Sequence, residues 1–205
     1  MDFIFDHSLL LYLPLYELDG VSLMSKDAYG HSCSVTGAIW TPRGRNFDGL
    51  DDYASINNWD NSRLGDTFTI EMWVRSDDLS ARQYAIGMSS WGANVFYLRT
   101  ETSQKLSFSV YGGSEMQTSS TLDADQWYHI VVQVVGGKAQ FYLNAIADGS
   151  PTTGHNASGS YTLCIGKGHG ENEWDGLIGE ARIYNRALTP QEIQHNYLAT
   201  KWRYQ

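Results

Sequence analysis

Between Phe47 and Tyr53 the chain reads FDGLDDY, which sets Asp48, Asp51 and Asp52 beside Gly49. Carboxylates this close together can act as an acid–base pair, as part of a cage for a hard cation, or as hydrogen-bonding ends of a turn. Three other stretches offer a different chemistry. SSWGANVFY carries Trp91 and Asn94, VYGGSEMQ carries Tyr111, and GHGENEW carries His169, Glu171 and Asn172. Aromatic faces stack on the C–H-rich faces of sugar rings, and planar polar groups hydrogen-bond sugar hydroxyls. Trp91, Asn94, Tyr111, His169 and Asn172 therefore form the expected glycan-binding set. A second patch of similar character follows from strand alternation: Glu71, Trp73, Arg75, Tyr97, Arg99 and His129 fall opposite the core face. Packing competes with binding at each tryptophan. Trp73 and Trp174 are expected to pack, and Trp59 to cover a sheet end.

Several chemistries are missing. GKGHG (Gly166 to Gly170) is glycine-rich, but it lacks the spacing of a dinucleotide fingerprint and no helix follows it, so it reads as a strand-end turn. There is no G-x-S-x-G elbow and no HExxH. The six histidines are scattered, and His129 is expected to be a packed or surface residue. Cys33 and Cys164 are the only cysteines and form no CxxC pattern; a single disulfide or two reduced core thiols are both open. NAS at Asn156 has the form of a glycosylation acceptor.

The elements that must hold these residues are strands. "FTIEMWVRS" alternates, with Phe68, Ile70, Met72 and Val74 on one face. NVFYLRTE and KLSFSVYGG form a hairpin-like pair. QWYHIVVQVVGGKAQFYLNA is a stronger one, turning at Gly136-Gly137. LLLYLPLYEL is interrupted by Pro14 and suits an edge strand. YTLCIGKG and GLIGEARIYNR add two more strands. The clear helix is LTPQEIQHNYLATKW, with Thr189 as cap, Pro190 at the first position and Glu192 closing a capping box; Ile193 and Tyr197 face the sheet.

Length and charge narrow the class. A chain of 205 residues with 42% hydrophobic residues can bury one substantial core, and no linker or repeat divides residues 1–205. The formal net charge of −9, with no basic run, disfavours nucleic acid and anionic membranes. No apolar run reaches the ~20 residues of a membrane span. The first residues do not read as a signal peptide, because Asp2 and Asp6 replace the expected basic residues.

Taken in order, LLLYLPLYELDG, the DAYGHSCSVTGAIWTPRGRNFDGLDDYASI stretch, FTIEMWVR, QWYHIVV, AQFYLNA and GLIGEARIYNRALTPQEIQHNY resemble a LamG-like jelly roll of the concanavalin A-like lectin/glucanase superfamily. The resemblance covers nearly the whole chain. It implies an all-β, two-sheet antiparallel jelly-roll sandwich with one short C-terminal helix. It also implies a place for one structural Ca²⁺, held by oxygens near Asp48 and Asp51, the turn at Asp27 to Gly30 and an Asp on the last strand. Here Gly179 stands where that Asp is expected, in Ile178-Gly179-Glu180-Ala181-Arg182-Ile183-Tyr184, which weakens the cage. Glycosidases of the superfamily carry two acids on one strand face; Glu71 to Arg75 holds only one, and Glu171 and Glu173 lie in a loop expected to be solvated. The strands that serve the related polysaccharide lyases are not reproduced. The expectation is a non-catalytic glycan- or glycoprotein-binding module, extracellular or surface-displayed on a cell or virion. A structural or protein-binding domain of a larger assembly is the alternative, and a diverged glycosidase or lyase comes third.

Overall fold

The computed structural model describes residues 6–18, 22–170 and 172–205. Its strands, numbered in chain order, build two antiparallel sheets packed face to face. The first sheet runs β14 (Ile146–Thr152), β13 (Lys138–Leu143), β12 (Tyr128–Val135), β7 (Phe68–Ser76), β16 (Asp175–Tyr184), β5 (Gly44–Asp48) and β4 (Ile39–Thr41). β1 (Leu9–Pro14) joins it on β16, pairing Glu180 to Tyr184 just past the stretch that pairs with β5. The second sheet runs β11 (Met116–Gln117), β10 (Leu106–Val110), β9 (Phe96–Thr100), β8 (Gln83–Met88), β15 (Ser160–Ile165), β6 (Tyr53–Asp60), β3 (Ser32–Thr36) and β2 (Ser22–Met24).

Alternation builds the core. Phe68, Ile70, Met72 and Val74 of β7 point inward against Phe96 and Phe108 of the second sheet, with the Phe68 and Phe96 ring centroids 6.4 Å apart. β12 and β13 form the expected tight hairpin. Gly136 and Gly137 both take positive φ, 55° and 73°, which matches the twist that two-residue hairpins need. β1 ends at Pro14, where Glu17 N–H closes a turn on the Pro14 carbonyl. Trp59, expected to pack over a sheet end, is buried. It belongs to β6 and to the core, and its indole N–H donates to Asn61 Oδ1 at 3.0 Å.

Helix α1 (Pro190–Thr200) is capped as its sequence specifies: Thr189 Oγ1 accepts from Glu192 N–H, and Glu192 accepts from Thr189 N–H at 2.7 Å. The helix and the 3₁₀ turn Lys201–Arg203 lie across the outside of the first sheet. Among the described residues no helix is long and apolar enough to cross a membrane.

The two cysteines are reduced and buried. Cys33 points into the core, whereas Cys164 sits on the outer face of β15, opposite Ser55 and beside Gly87. They lie two strands apart with side chains on opposite faces, so a disulfide would require rebuilding the sheet. Burial pushes the Cys33 thiol up to about 12 and that of Cys164 to about 11.

Candidate functional site

The strand-face patch expected from alternation divides between two sheets. Glu71, Trp73, Arg75 and His129 lie outside the first sheet, beneath or beside the C-terminal helix. Glu71 accepts from His129 Nε2 at 2.7 Å and from Asn196 of α1 at 2.9 Å, with Arg182 3.6 Å away. Burial pushes Glu71 toward its neutral form, but these three partners outweigh it and hold the carboxyl below its usual range. Glu180 goes the other way: burial raises it despite the Arg182 guanidinium at 3.0 Å. Trp73 is 3% exposed, stacked between Tyr197 at 5.7 Å and Tyr204 at 4.6 Å, and its indole N–H donates to Thr200. A ligand cannot reach Glu71, Trp73 or His129 while α1 is docked; Arg75 stays partly exposed, paired with Asp77 and Asp125.

Tyr97 and Arg99 stand on β9 in the second sheet. Arg99 donates to Glu101 at 2.6 Å, to Glu115 at 2.8 Å and to the Tyr84 hydroxyl at 3.2 Å; Tyr97 donates to Glu115 at 2.7 Å. Both side chains are buried by this network. It satisfies the guanidinium and holds the loop after β10 against the sheet.

The loop residues give a different result. Trp91 follows β8, Tyr111 follows β10 and His169 follows β15, yet the three rings meet. The Trp91 and Tyr111 centroids are 4.8 Å apart at 71°, and Trp91 and His169 are 5.3 Å apart at 40°. Trp91 remains 47% exposed and Tyr111 43%. Backbone bonds hold the loops together: Tyr111 N–H donates to Val95 O at 2.8 Å and Asn94 N–H to Tyr111 O at 3.3 Å. Asn94 adopts φ 65°, a conformation Asn tolerates, and its amide donates to Ser158 Oγ at 2.8 Å. Tyr161 OH anchors the Ala93 carbonyl at 3.2 Å. The His169 loop is folded back over the outside of the second sheet by its glycines. A Cβ on Gly168 would stand 2.3 Å from the Tyr84 ring, and one on Gly166, which has φ 80°, would stand 2.5 Å from Phe47.

Four of the five expected glycan residues thus converge. Asn172 does not join them. Its carbonyl accepts from Tyr84 N–H, and the residue lines an acidic cleft with Asp48, Asp78 and Asp175. Glu171 lies outside the described residues. Glu173 is not a solvated loop acid: it is buried and accepts from Lys167 Nζ at 2.6 Å. Trp174 packs at the interior, as expected. Ser158 and Tyr161, which steady the Trp91 loop, carry no local signal in the sequence because they lie some sixty-odd positions from what they hold.

The aspartate turn is built mostly from its own hydrogen bonds. Asp48 Oδ1 accepts from Leu50 N–H at 2.9 Å and Asp51 N–H at 3.4 Å, while Asp52 Oδ2 accepts from Asp48 N–H at 3.1 Å. Gly49 supplies the positive φ of 73°. Burial, together with Asp48 and Asp51, raises the Asp52 carboxyl. Carboxylate oxygens of Asp48, Asp51 and Asp52 come within 4.8 Å of one another, close enough to share one ion. The other two parts of the cage implied by the resemblance lie apart from them. Asp27 is spent on its own turn, accepting from Tyr29 and Gly30, and on Tyr12 N–H of β1. Gly179 stands four residues along β16 from Asp175, the partner of Asp48, about 13 Å at strand rise. A Cβ there would meet the Tyr204 ring at 2.3 Å. Gly179 therefore stands apart from the clustered Asp48 and Asp51 carboxylates.

Comparison with known proteins places this geometry. No curated protein is a significant match in sequence. Among solved structures, Trypanosoma rangeli sialidase superposes with TM-score 0.73 at 17% identity, over 96% of this chain and 33% of the sialidase. The receptor binding domain of botulinum neurotoxin D superposes with TM-score 0.74 at 14% identity, over 94% of this chain and 52% of that one. The chain thus spans about one third of the sialidase and half of the toxin domain, and the likeness is one of fold. Residues 47–194 match a Laminin G family described as concanavalin A-like lectin/glucanases. With that match covering well over half of its length, the chain belongs to the concanavalin A-like lectin/glucanase superfamily.

Proposed function

We propose that this chain is a non-catalytic glycan-binding module, acting outside a cell or displayed on a cell or virion surface. The observation that carries the reading is the ring cluster of Trp91, Tyr111 and His169, which three separate loops bring together and leave open to solvent. An indole this exposed gains little from core burial, and the Tyr111 ring at 71° and the His169 ring at 40° to it form a notch that a sugar ring can enter edgewise. Asn94, fixed by Ser158, sets an amide at the rim. The non-catalytic part draws support from the acids. Glu71 is sealed under α1 and Glu173 is held by Lys167, so neither is poised beside the ring cluster. A toxin receptor binding domain among the neighbours of this fold accords with a recognition role.

A second reading, attachment to a larger assembly, draws on the exposed face of the C-terminal segment, where Leu198 is half-exposed and Trp202 is 67% exposed. The same experiment separates the two. Binding to a glycan array that disappears in Trp91→Ala supports the module as a lectin. A blank array, with stable self-association or complex formation that Trp202→Ala abolishes, supports attachment. Shallow aromatic sites of this kind bind sugars at about 1 mM to 1 μM. Reducing ends or unsaturated products released by the pure protein, and lost in Glu71→Gln or Glu173→Gln, would overturn the non-catalytic reading.

A further inference from the structure

The outside of the second sheet carries a surface that the ring cluster does not use. β3, β6 and β15 lie side by side there, and their outward positions are short and polar. Ser34, Thr36, Ser55, Asn57, Ser89 and Thr162 line a groove of about 430 Å³. Their inward neighbours, Cys33, Ala54, Ile56, Leu163 and Ile165, belong to the core, so the hydroxyl row follows directly from alternation. Tyr53 lies at one end of the groove, with Lys167 Nζ 5.2 Å from its ring centroid.

The groove leads to the ring cluster along two segments. Ser89 lines it, and Trp91 stands two residues on. Lys167 lines it, and His169 stands two residues on. Two residues of extended chain span at most about 7 Å, and the two segments meet where His169 touches Trp91. The ring cluster therefore sits at the rim of the groove.

We propose that the ligand is an extended, uncharged oligosaccharide, with one sugar in the Trp91 notch and the following units lying along the hydroxyl groove. This rests on the glycan-binding reading and specifies its ligand. Hydroxyls and an amide both donate and accept, which suits sugar hydroxyls and gives no preference for an anion. The one charged group among the described lining residues is Lys167, and Glu173 neutralises it at 2.6 Å. The nearby Arg82 and Arg99 are likewise held by Glu101 and Glu115. A chain of net charge −9 adds long-range repulsion against sialylated or sulfated glycans. A peptide is disfavoured because β6 and β15 are paired on both sides, leaving no strand edge to extend, and the groove has few apolar pockets for side chains.

The test uses the whole chain. An array of neutral gluco-, manno- and xylo-oligosaccharides, from single sugars to hexamers, is printed beside sialylated and sulfated glycans, and calorimetry follows on the best series. The expected result is binding to a neutral series, with affinity rising at least about tenfold between the single sugar and the tetramer. Asn57→Ala and Ser34→Ala lower the affinity for the tetramer toward that of the single sugar, and Trp91→Ala removes binding. Both groove residues are exposed, so these variants fold. Trp91-dependent binding that is strongest for acidic glycans, or that ignores chain length and Asn57→Ala, overturns the proposal and leaves the lectin reading standing. If no glycan of any kind binds in a Trp91-dependent way, the lectin reading falls and this proposal falls with it.

Discussion

The two outer faces of the sandwich carry the same kinds of side chain and treat them differently. On the first sheet, Trp73 lies between two tyrosine rings under the C-terminal helix, and Glu71 is held by His129 and Arg182 beneath it. On the second sheet, Trp91 stands at a loop tip with about half its surface open, and the strands beside it present hydroxyls to solvent. Residue type does not decide which side chains are covered and which stay open. One eleven-residue helix covers the centre of the first face, whereas the second is covered only in part, by the Glu115 loop over Tyr97 and Arg99. An aromatic residue opposite the core is a packing residue wherever a further layer arrives, and stays accessible where none does.

The largest test of this contrast is Trp73→Ala. It removes a fully packed indole and one hydrogen bond to α1, so urea unfolding should show a loss of about 3–5 kcal/mol. A loss below about 1 kcal/mol would mean that α1 does not hold the first face as described. Glu71→Gln comes next. Removing the buried Glu71 charge from beside Arg182 should cost about 3 kcal/mol at neutral pH. Its pH dependence has a definite sign. Glu71 is held below its usual range in the fold, so the unfolded chain binds its proton more tightly. Its contribution is complete above the unfolded value of about 4.3 and is lost as pH falls through the folded value. Glu180 is shifted upward and works in the opposite sense, so the quantity to follow is the difference between wild type and Glu71→Gln. That difference should shrink on acidification; growth would reverse the assignment.

Asp48→Ala should cost about 1 kcal/mol through the lost turn bonds to Leu50 and Asp51. Melts with chelator and with added calcium should shift by the same amount. A stabilisation by calcium that Asp48→Ala abolishes would show instead that the three neighbouring carboxylates hold an ion without help from Gly179. Trp91→Ala should have the smallest effect on stability, within about 0.5 kcal/mol, while glycan capture is lost. Equal destabilisation by Trp91→Ala and Trp73→Ala would erase the distinction between the faces.

Much of the fold could be read along the chain because its signals are local. The alternation of Phe68 to Ser76, the paired glycines at 136 and 137, and the capping box at Thr189 each act within a few residues. Trp91, Asn94, Tyr111 and His169 could be chosen from loop chemistry alone. Their convergence could not be read, because it depends on three loops meeting at one end of a sheet. Alternation placed Glu71 and Arg99 correctly off the core but gave no sign that they belong to different sheets, or that α1 and Glu115 would bury them. Asn172 lines the cleft with Asp48 and Asp175 rather than the ring cluster, and nothing in GHGENEW signals that separation from His169. The hydroxyl row was legible in principle in SCSVT, YASIN and SYTLC, where each small polar residue alternates with a core residue.

β16 has a further consequence, and it concerns time. It fills the gap between β7 on one side and β5 followed by β1 on the other. Every strand of the second sheet precedes it in the chain, ending with β15 at Ile165. During synthesis the second sheet can therefore assemble while the first exists only as unconnected parts: β7 with β12 to β14, β5 with β4, and β1 with no partner. The inner apolar face of the second sheet then waits without its full cover. Closure must join segments from opposite ends of a long loop, which is slow by its entropy. Pulse proteolysis during refolding should find the second-sheet strands protected before β1. Until the segment Asp175 to Tyr184 arrives, the nascent chain is a half-sandwich whose exposed apolar face is open to association with other chains.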